Sequence, residues 1–479
     1  MHWTLSRLVL STALVSKPRV GAFRVVPLPF LQEQCSSCHA SRRELTTVSA
    51  LRGGADANPS SLPQTAIPAS FTKERQDDVN TAVLAVLASC RVTRRLQPNT
   101  GSSIATIAKQ DASPVTIGDF ASQATALKII HSQFPSDMFI AEEGSDVLRS
   151  DDQLLTKVWD AVKLASSDIE SICSWSDKEE VLRCIDYGQG IDPSADDPIK
   201  SKRIWVLDPI DGTKGFLRGR LEGGQYCIAL ALLEDGEPVV SVLGCPNLPG
   251  FLDPANRNVA FGTWPKEEID ESETRKGLFS SKRGCLFVAV RGCGCYELSI
   301  HDLEKALLGS NGRNDIAMCW KRLHVTSKLN STKTPSQATF CLGVERGFSD
   351  PNGTVLKVAE LLHGEDALIT QDGISDIKNS FRMDGQGKYG VLARGEAEYF
   401  LRLPKAGYVD WVWDVAAGYL CLTEAGGKMT DVNGNRIDFS GIGAERKAKL
   451  PDGVQGLLGS CGGHFHDALV DAYKSIESL

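Results

Sequence analysis

The chain contains no apolar run approaching the roughly 20 residues that a membrane-spanning helix requires, which excludes such a helix after the N-terminal stretch. Nor does it carry an excess of positive charge: 52 Lys and Arg stand against 60 Asp and Glu, a formal net charge of −8. That balance argues against general affinity for nucleic acid or an acidic membrane, because polyanions are held by a basic face. Past residue 70 there is no internal repeat and no low-complexity tract. Paired metal-binding cysteines are missing as well. Of 14 cysteines, only Cys35 with Cys38 and Cys293 with Cys295 are close in sequence, and neither pair has a partner pair at zinc spacing. Scattered core thiols in a reducing compartment are the plain reading, and a redox switch through Cys293 and Cys295 is the sharper one.

Acidic residues are also absent before Glu33, where a short apolar run at 8–15 is followed by a Ser/Arg-rich, Pro-studded stretch at 36–68. Residues 1–70 therefore read as a targeting presequence and disordered tail. The stretch "VGAFRVVP" is similar to the Ala-Phe cleavage site of plastid-targeted proteins in algae with complex plastids. A plastid is the expected location, with a mitochondrial or cytoplasmic one as the alternative.

What remains is long enough, at 42% hydrophobic residues, to bury a substantial core. Apolar residues at helical spacing over 72–97 predict an amphipathic opening helix. "SPVTIGDFASQ" predicts a second helix starting near Asp119, and "DMFIAEEG" a short strand ending in acids. "RIWVLDP" reads as a buried strand. "YCIALALLEDGEPVVSVLGCPN" reads as a hairpin turning at Glu234, Asp235 and Gly236, and "GCLFVAVRGCGCYEL" as a second hairpin. The expected layout is an N-terminal α+β half at 71–252, a loop-rich connection at 253–283, and a C-terminal α/β half at 284–479.

Acids recur where apolar elements begin or end: Asp119 after "SPVTIG", Glu142 after "FIA", Asp208 and Asp211 after "IWVL", and Asp414 after "WVW". Carboxylates at the mouths of strands converge when those strands share a sheet, and they repel unless cations hold them. Hard divalent ions suit such oxygen donors, Mg²⁺ above all beside phosphate. Pro209 stops the strand. Gly212 permits a tight turn, so that both carboxylates and the Ile210 carbonyl face one point, with the Thr213 hydroxyl beside them. Singly, each acid has a plainer reading, Asp119 and Asp414 as helix caps and Asp211 with Gly212 as a turn.

Together, "AEEG", "DPIDGT" and "WDVAAGYLCLTEAGG" resemble the lithium-sensitive, metal-dependent sugar phosphatase superfamily that includes inositol monophosphatase and fructose-1,6-bisphosphatase. "SPVTIGDFASQ", "DPIDGTKGFLRG", "VLGCPNLP", "KYGVLARGEAEYFLRLP" and the tryptophan before Asp414 most resemble the 3′(2′),5′-bisphosphate nucleotidases within it, over residues 72 to 475. The resemblance implies an α+β fold, a layered α/β/α/β/α sandwich. It implies Glu142, Asp208, Asp211, Asp414 and the Ile210 carbonyl as ligands of two or three Mg²⁺ ions, and Asp119 paired with Thr213 as the group that activates water. Gly385, Lys388 and Arg402 fall at substrate-binding positions, with Thr213. The implied substrate is adenosine 3′,5′-bisphosphate (PAP), with its sulfated precursor (PAPS) as a second candidate. Lithium inhibition and a place in sulfur assimilation are implied too. No nucleic acid or membrane partner is expected, and the molecule is a monomer or homodimer. An inositol polyphosphate 1-phosphatase and a PAP-binding sensor with little turnover are the alternatives.

Three departures touch the nucleotide pocket and leave the acids intact. Gly385 stands in "MDGQGKY" where the family has Ser, losing a hydroxyl. "GFSDPNG" around Phe348 lacks a family histidine. "RLEGG" adds length before Gln225.

Overall fold

A computed structural model describes residues 67–68, 71–99, 106–108, 114–166, 172–190, 203–250, 283–308, 320–325, 333–345, 350, 352–371, 373–404, 408, 410–440, 449–450 and 456–477. The expected presequence lies outside these residues except for 67–68, as do Cys35, Cys38, the expected connection at 253–283 apart from Arg283, and Phe348.

Helix α1 (Lys73–Leu96) runs through 24 residues without Gly or Pro, and residues 78–94 are buried on every side. The expected amphipathic face is thus covered, because a second helix and a fourth pack where solvent was expected. Its buried Arg91 and Arg94 are held by Glu304 at 2.7 and 2.9 Å, as buried charges must be. A short hairpin, β1 (Thr106–Ala108) and β2 (Pro114–Thr116), leads into α2 (Ile117–Gln133). Then follow β3 (Met138–Ala141), α3 (Asp146–Ser150), α4 (Asp152–Ser166) and α5 (Lys178–Asp186).

The chain next builds β4 (Arg203–Asp211), α6 (Thr213–Arg218), β5 (Cys227–Glu234), β6 (Glu237–Pro249), β7 (Arg283–Val290), β8 (Gly294–Ser299), α7 (Ile300–Leu308) and β9 (Lys321–Arg322). These strands and β3 form one seven-stranded sheet, ordered β3-β4-β5-β6-β7-β8-β9 and antiparallel except for β3 beside β4. The β5–β6 turn falls where expected, with Asp235 and Gly236 both at positive φ, the twist a two-residue hairpin demands. The β7–β8 hairpin also forms, and Cys293 and Cys295 are free thiols, Cys295 buried. Because β6 pairs directly with β7, the expected seam at 253–283 interrupts the chain and not the sheet.

Past Arg322 come β10 (Phe340–Leu342), α8 (Thr354–His363), β11 (Leu368–Gln371), β12 (Ile374–Ile377), β13 (Ser380–Arg382), α9 (Gly387–Ala393), β14 (Tyr399–Arg402), α10 (Ala416–Glu424), β15 (Lys428–Asp431), β16 (Leu457–Ser460) and α11 (Gly463–Glu477). Five of these strands form a second sheet in the order β13-β10-β14-β16-β15.

The layering follows from strand alternation. Trp205 and Leu207 face α1 and α2, while Ile204 and Val206 face α9, α10 and the second sheet. Leu286 and Val288 repeat the first pattern, and Cys285 and Phe287 the second. With both faces covered, β4 has to be apolar throughout, which is why "IWVL" shows no polar position. Helices α8 and α11 pack beyond the second sheet. The order helix, sheet, helix, sheet, helix is the expected α/β/α/β/α sandwich.

Candidate active site

Residues three apart on a regular strand face opposite sides. Asp208 and Asp211 are three apart on β4, yet they share one site. The pairing with β5 slips between them: Asp208 faces Ala229 and Asp211 faces Cys227, so three steps on β4 answer two on β5. This bulge at Pro209 and Ile210 turns Asp211 to the side of Asp208. Gly212 then adopts φ 92°, and a Cβ there would lie 2.9 Å from the Gly385 nitrogen. Only glycine fits that approach. Helix α6 starts at Thr213, whose hydroxyl donates to the Ile210 carbonyl at 3.2 Å.

Glu142 follows β3, which runs parallel to β4 with Ala141 opposite Leu207, so that the next residue on each strand is Glu142 and Asp208. Asp414 closes a 3₁₀ turn before α10, and its Oδ2 accepts from the Trp411 backbone N–H at 3.1 Å. Asp414 is therefore a cap and a member of the cluster at once. Asp208, Asp211 and Asp414 each offer an oxygen within 4.8 Å of the others, the one group of potential metal ligands among the described residues.

The electrostatics follow from this crowding. Burial pushes the Asp208 carboxyl well above the ordinary carboxylate range, and Glu142, Asp211 and Asp414 add to the rise. Asp414 is pushed up to about 8, first by burial and then by Asp410, Asp211 and Glu142, against the opposing pull of Arg402. Burial raises Asp211 as well, although Lys388, Arg402 and hydrogen bonds from Gln386 hold the rise down. Such a cluster accepts protons or cations.

The remaining expected residues are placed as follows. Asp119, buried, lies at the third position of α2 and accepts from the Thr116 backbone N–H at 2.8 Å and the Thr116 hydroxyl at 2.6 Å. This is a capping box, the plainer reading. The same turn abuts the site loop, since a Cβ on Gly118 would lie 2.9 Å from Ile210 Cδ1. Asp119 and Thr213 thus sit on facing segments, with described hydrogen bonds to Thr116 and Ile210. Lys388 donates to the Gly385 carbonyl at 2.6 Å. Arg402 Nη2 lies 2.6 Å from Asp410 and 3.8 Å from Asp414, so its charge serves the carboxylates.

Gly385 corrects the expectation of a lost substrate hydroxyl. Its φ is 72°, and a Cβ there would stand 2.5 Å from the Asp211 carbonyl oxygen. A serine cannot occupy this backbone as it stands, so the glycine serves the contact between two loops.

Sequence reasoning missed two buried residues. Gln386 donates to the Trp413 carbonyl at 2.7 Å and accepts from the Gly418 N–H at 3.0 Å, fixing the turn that carries Asp414. Asp410, fully buried, anchors Arg402. Both are ordinary polar loop residues in the sequence. The nearest signal was their position beside expected ones, Gln386 between Gly385 and Lys388, and Asp410 four residues before Asp414.

The sequence profile of the inositol monophosphatase family matches residues 74–454. The chain is 38% identical over 343 residues to a 3′(2′),5′-bisphosphate nucleotidase of Emericella nidulans, covering 70% of this chain and 82% of that protein. It is 34% identical over 357 residues to the corresponding nucleotidase of Schizosaccharomyces pombe, covering 74% of this chain and 82% of the other. Among solved structures it is similar to the Thermotoga maritima IMPase, at 16% identity and a TM-score of 0.46, over 84% of this chain and 98% of that one.

Proposed function

Since the chain belongs to the inositol monophosphatase family, we propose that it is a metal-dependent 3′(2′),5′-bisphosphate nucleotidase that releases the 3′-phosphate of PAP to leave AMP, with PAPS as a second substrate. The observation that carries this reading is the convergence of Asp208, Asp211 and Asp414 at the mouth of β4, beside Glu142. The names of relatives at 34% and 38% identity support the nucleotide.

The donor set fits Mg²⁺: all oxygen, crowded enough to raise its own pKa values, and without nitrogen or sulfur. Glu142, Asp208, Asp211, Asp414 and the Ile210 carbonyl would hold two or three ions. When bound, such ions lower the pKa of water, neutralise phosphate and stabilise the leaving oxygen. Thr116 fixes the direction of the Asp119 carboxylate, which orients the attacking water and takes its proton. Thr213 offers its hydroxyl oxygen to the same water while its own proton stays on Ile210. Attack is in line, with no phosphoenzyme. Lys388 and Arg402 supply positive charge at the rim for the nucleotide's second phosphate, and Asp410 holds Arg402 in place.

A phosphate-release panel with PAP, PAPS and inositol bisphosphates, with and without Mg²⁺ and Li⁺, tests the reading. Release from PAP that needs Mg²⁺ and is suppressed by Li⁺ supports it. Faster release from an inositol bisphosphate would replace the nucleotide with that substrate. Tight PAP binding without release would make the protein a sensor.

A further inference from the structure

Two polar side chains in the middle of α2 take no part in the chemistry above, yet both are fully buried. Ser122 Oγ donates to the Pro209 carbonyl at 2.9 Å. Gln123 Nε2 donates to the Glu143 carbonyl at 2.6 Å and to the Ile185 carbonyl at 3.0 Å, while its Oε1 accepts from the Glu143 N–H at 2.9 Å. Gln189 adds a second donor to the Glu143 carbonyl at 2.8 Å.

The position of these bonds matters. Pro209 lies between Asp208 and Asp211, and Glu143 directly follows Glu142. Strand β3 is the edge of its sheet and ends at Ala141, so the Glu143 peptide has run past its regular strand partners. The Gln123 amide replaces them, presenting one donor and one acceptor as a neighbouring strand would. A buried amide is costly unless fully bonded, and an apolar side chain would fill the same space at less risk. Here the amide is bonded, and its bonds end on a loop that carries a carboxylate.

We propose that Ser122 and Gln123 are positioning residues: adjacent on one rigid helix, they set Glu142 against Asp208 and so determine how tightly the cluster holds a divalent cation. This rests on the reading of Glu142 and Asp208 as metal ligands. Groups that orient metal ligands from behind typically govern affinity by about 10–100-fold.

The test uses the full chain, stripped of metal, and titrates Mn²⁺ alone by calorimetry or by its paramagnetic resonance signal. Gln123→Met keeps bulk and removes all three bonds. It is expected to weaken Mn²⁺ binding by about 10–100-fold and to raise the Mg²⁺ needed for half-maximal phosphate release in step, with kcat at saturating Mg²⁺ changed by no more than about threefold. Ser122→Ala, which loses one bond, is expected to weaken Mn²⁺ about threefold. Val162→Ala, in the core under α4 and far from both loops, serves as the stability control, with a lower Tm and unchanged Mn²⁺ affinity. The proposal is overturned if Gln123→Met binds Mn²⁺ like the wild type while its Tm falls as in Val162→Ala. Should Gln123→Met not fold, Gln123→Glu, which keeps the acceptor and loses the donors, gives the same two outcomes. Glu142→Gln separates the premise from the proposal. If it leaves Mn²⁺ stoichiometry and affinity unchanged, Glu142 is no ligand; if it weakens binding and Gln123→Met does not, only the positioning role falls.

Discussion

Gly385 shows how a single residue reverses its meaning between sequence and fold. Aligned by motif, it is a serine position that has lost a hydroxyl, and restoring serine should improve the nucleotide pocket. In the fold, φ of 72° and the Asp211 carbonyl at 2.5 Å from a would-be Cβ leave no room for one. Gly385→Ser is therefore expected to destabilise by about 1–3 kcal/mol, seen as a lower Tm, with no gain in PAP affinity; an unchanged Tm with tighter PAP would restore the hydroxyl reading. Asp208 is the opposite case, legible from the start because a carboxylate at the exit of a fully apolar strand has few structural uses. Asp208→Ala is expected to cut phosphate release more than about a hundredfold, and release that survives would sink the metal mechanism. Gln386 and Asp410 were not legible. Their partners, the Trp413 carbonyl and Arg402, come from segments whose approach no local pattern encodes.

Elements were readable where they carry their own punctuation. The Asp235–Gly236 turn, the alternation along β4 and the capping box of Thr116 and Asp119 are local facts, and all formed as expected. The β4 bulge was half legible: Pro209 announced a break, but the count of residues that brings Asp211 round depends on its pairing with β5. The run of β6 into β7 was not legible, because a long polar segment separates two strands that pair in space. Strands β15 and β16 and helix α11 carry a further consequence. His466, on α11, lies buried between the Thr430 and Ser460 hydroxyls at 2.9 Å each, with Lys428 and Asp467 nearby. Burial lowers its pKa to about 4, Lys428 lowering it further against Asp467. Between pH 6.5 and 4 the unfolded chain binds a proton there that the folded one refuses, so stability rises with pH across that window. The contribution is complete above pH 6.5 and is lost as pH falls toward 4. Denaturant unfolding of wild type and His466→Asn from pH 7 to 4.5 checks this, and the variant should show the shallower slope.

At the scale of the whole molecule, the carboxylate cluster ties stability to cations. Left alone, its acids are raised toward the protonated state; an ion replaces the protons and removes the repulsion. Mg²⁺ at a hundred times its Kd is expected to stabilise the fold by about 2.7 kcal/mol, read as a rise in Tm that EDTA abolishes. With Asp414 pushed up to about 8, protons compete with the ion below that pH. The Mg²⁺-dependent rise in Tm should therefore be larger at pH 8.5 than at pH 6, and a rise independent of pH would mean that Asp414 takes no part. The layered sandwich itself was anticipated by resemblance and not by periodicity, since nothing local says which helices lie between the two sheets.

The three converging aspartates are also unequal in birth order. Asp208 and Asp211 leave the ribosome with the first sheet, whereas Asp414 follows only after β10 to β14 have been made. A nascent chain therefore presents two acids without the third. Tight cation capture, and the stability that comes with it, belongs to the finished molecule alone, so the ion acts as a check on complete synthesis before it acts in any reaction.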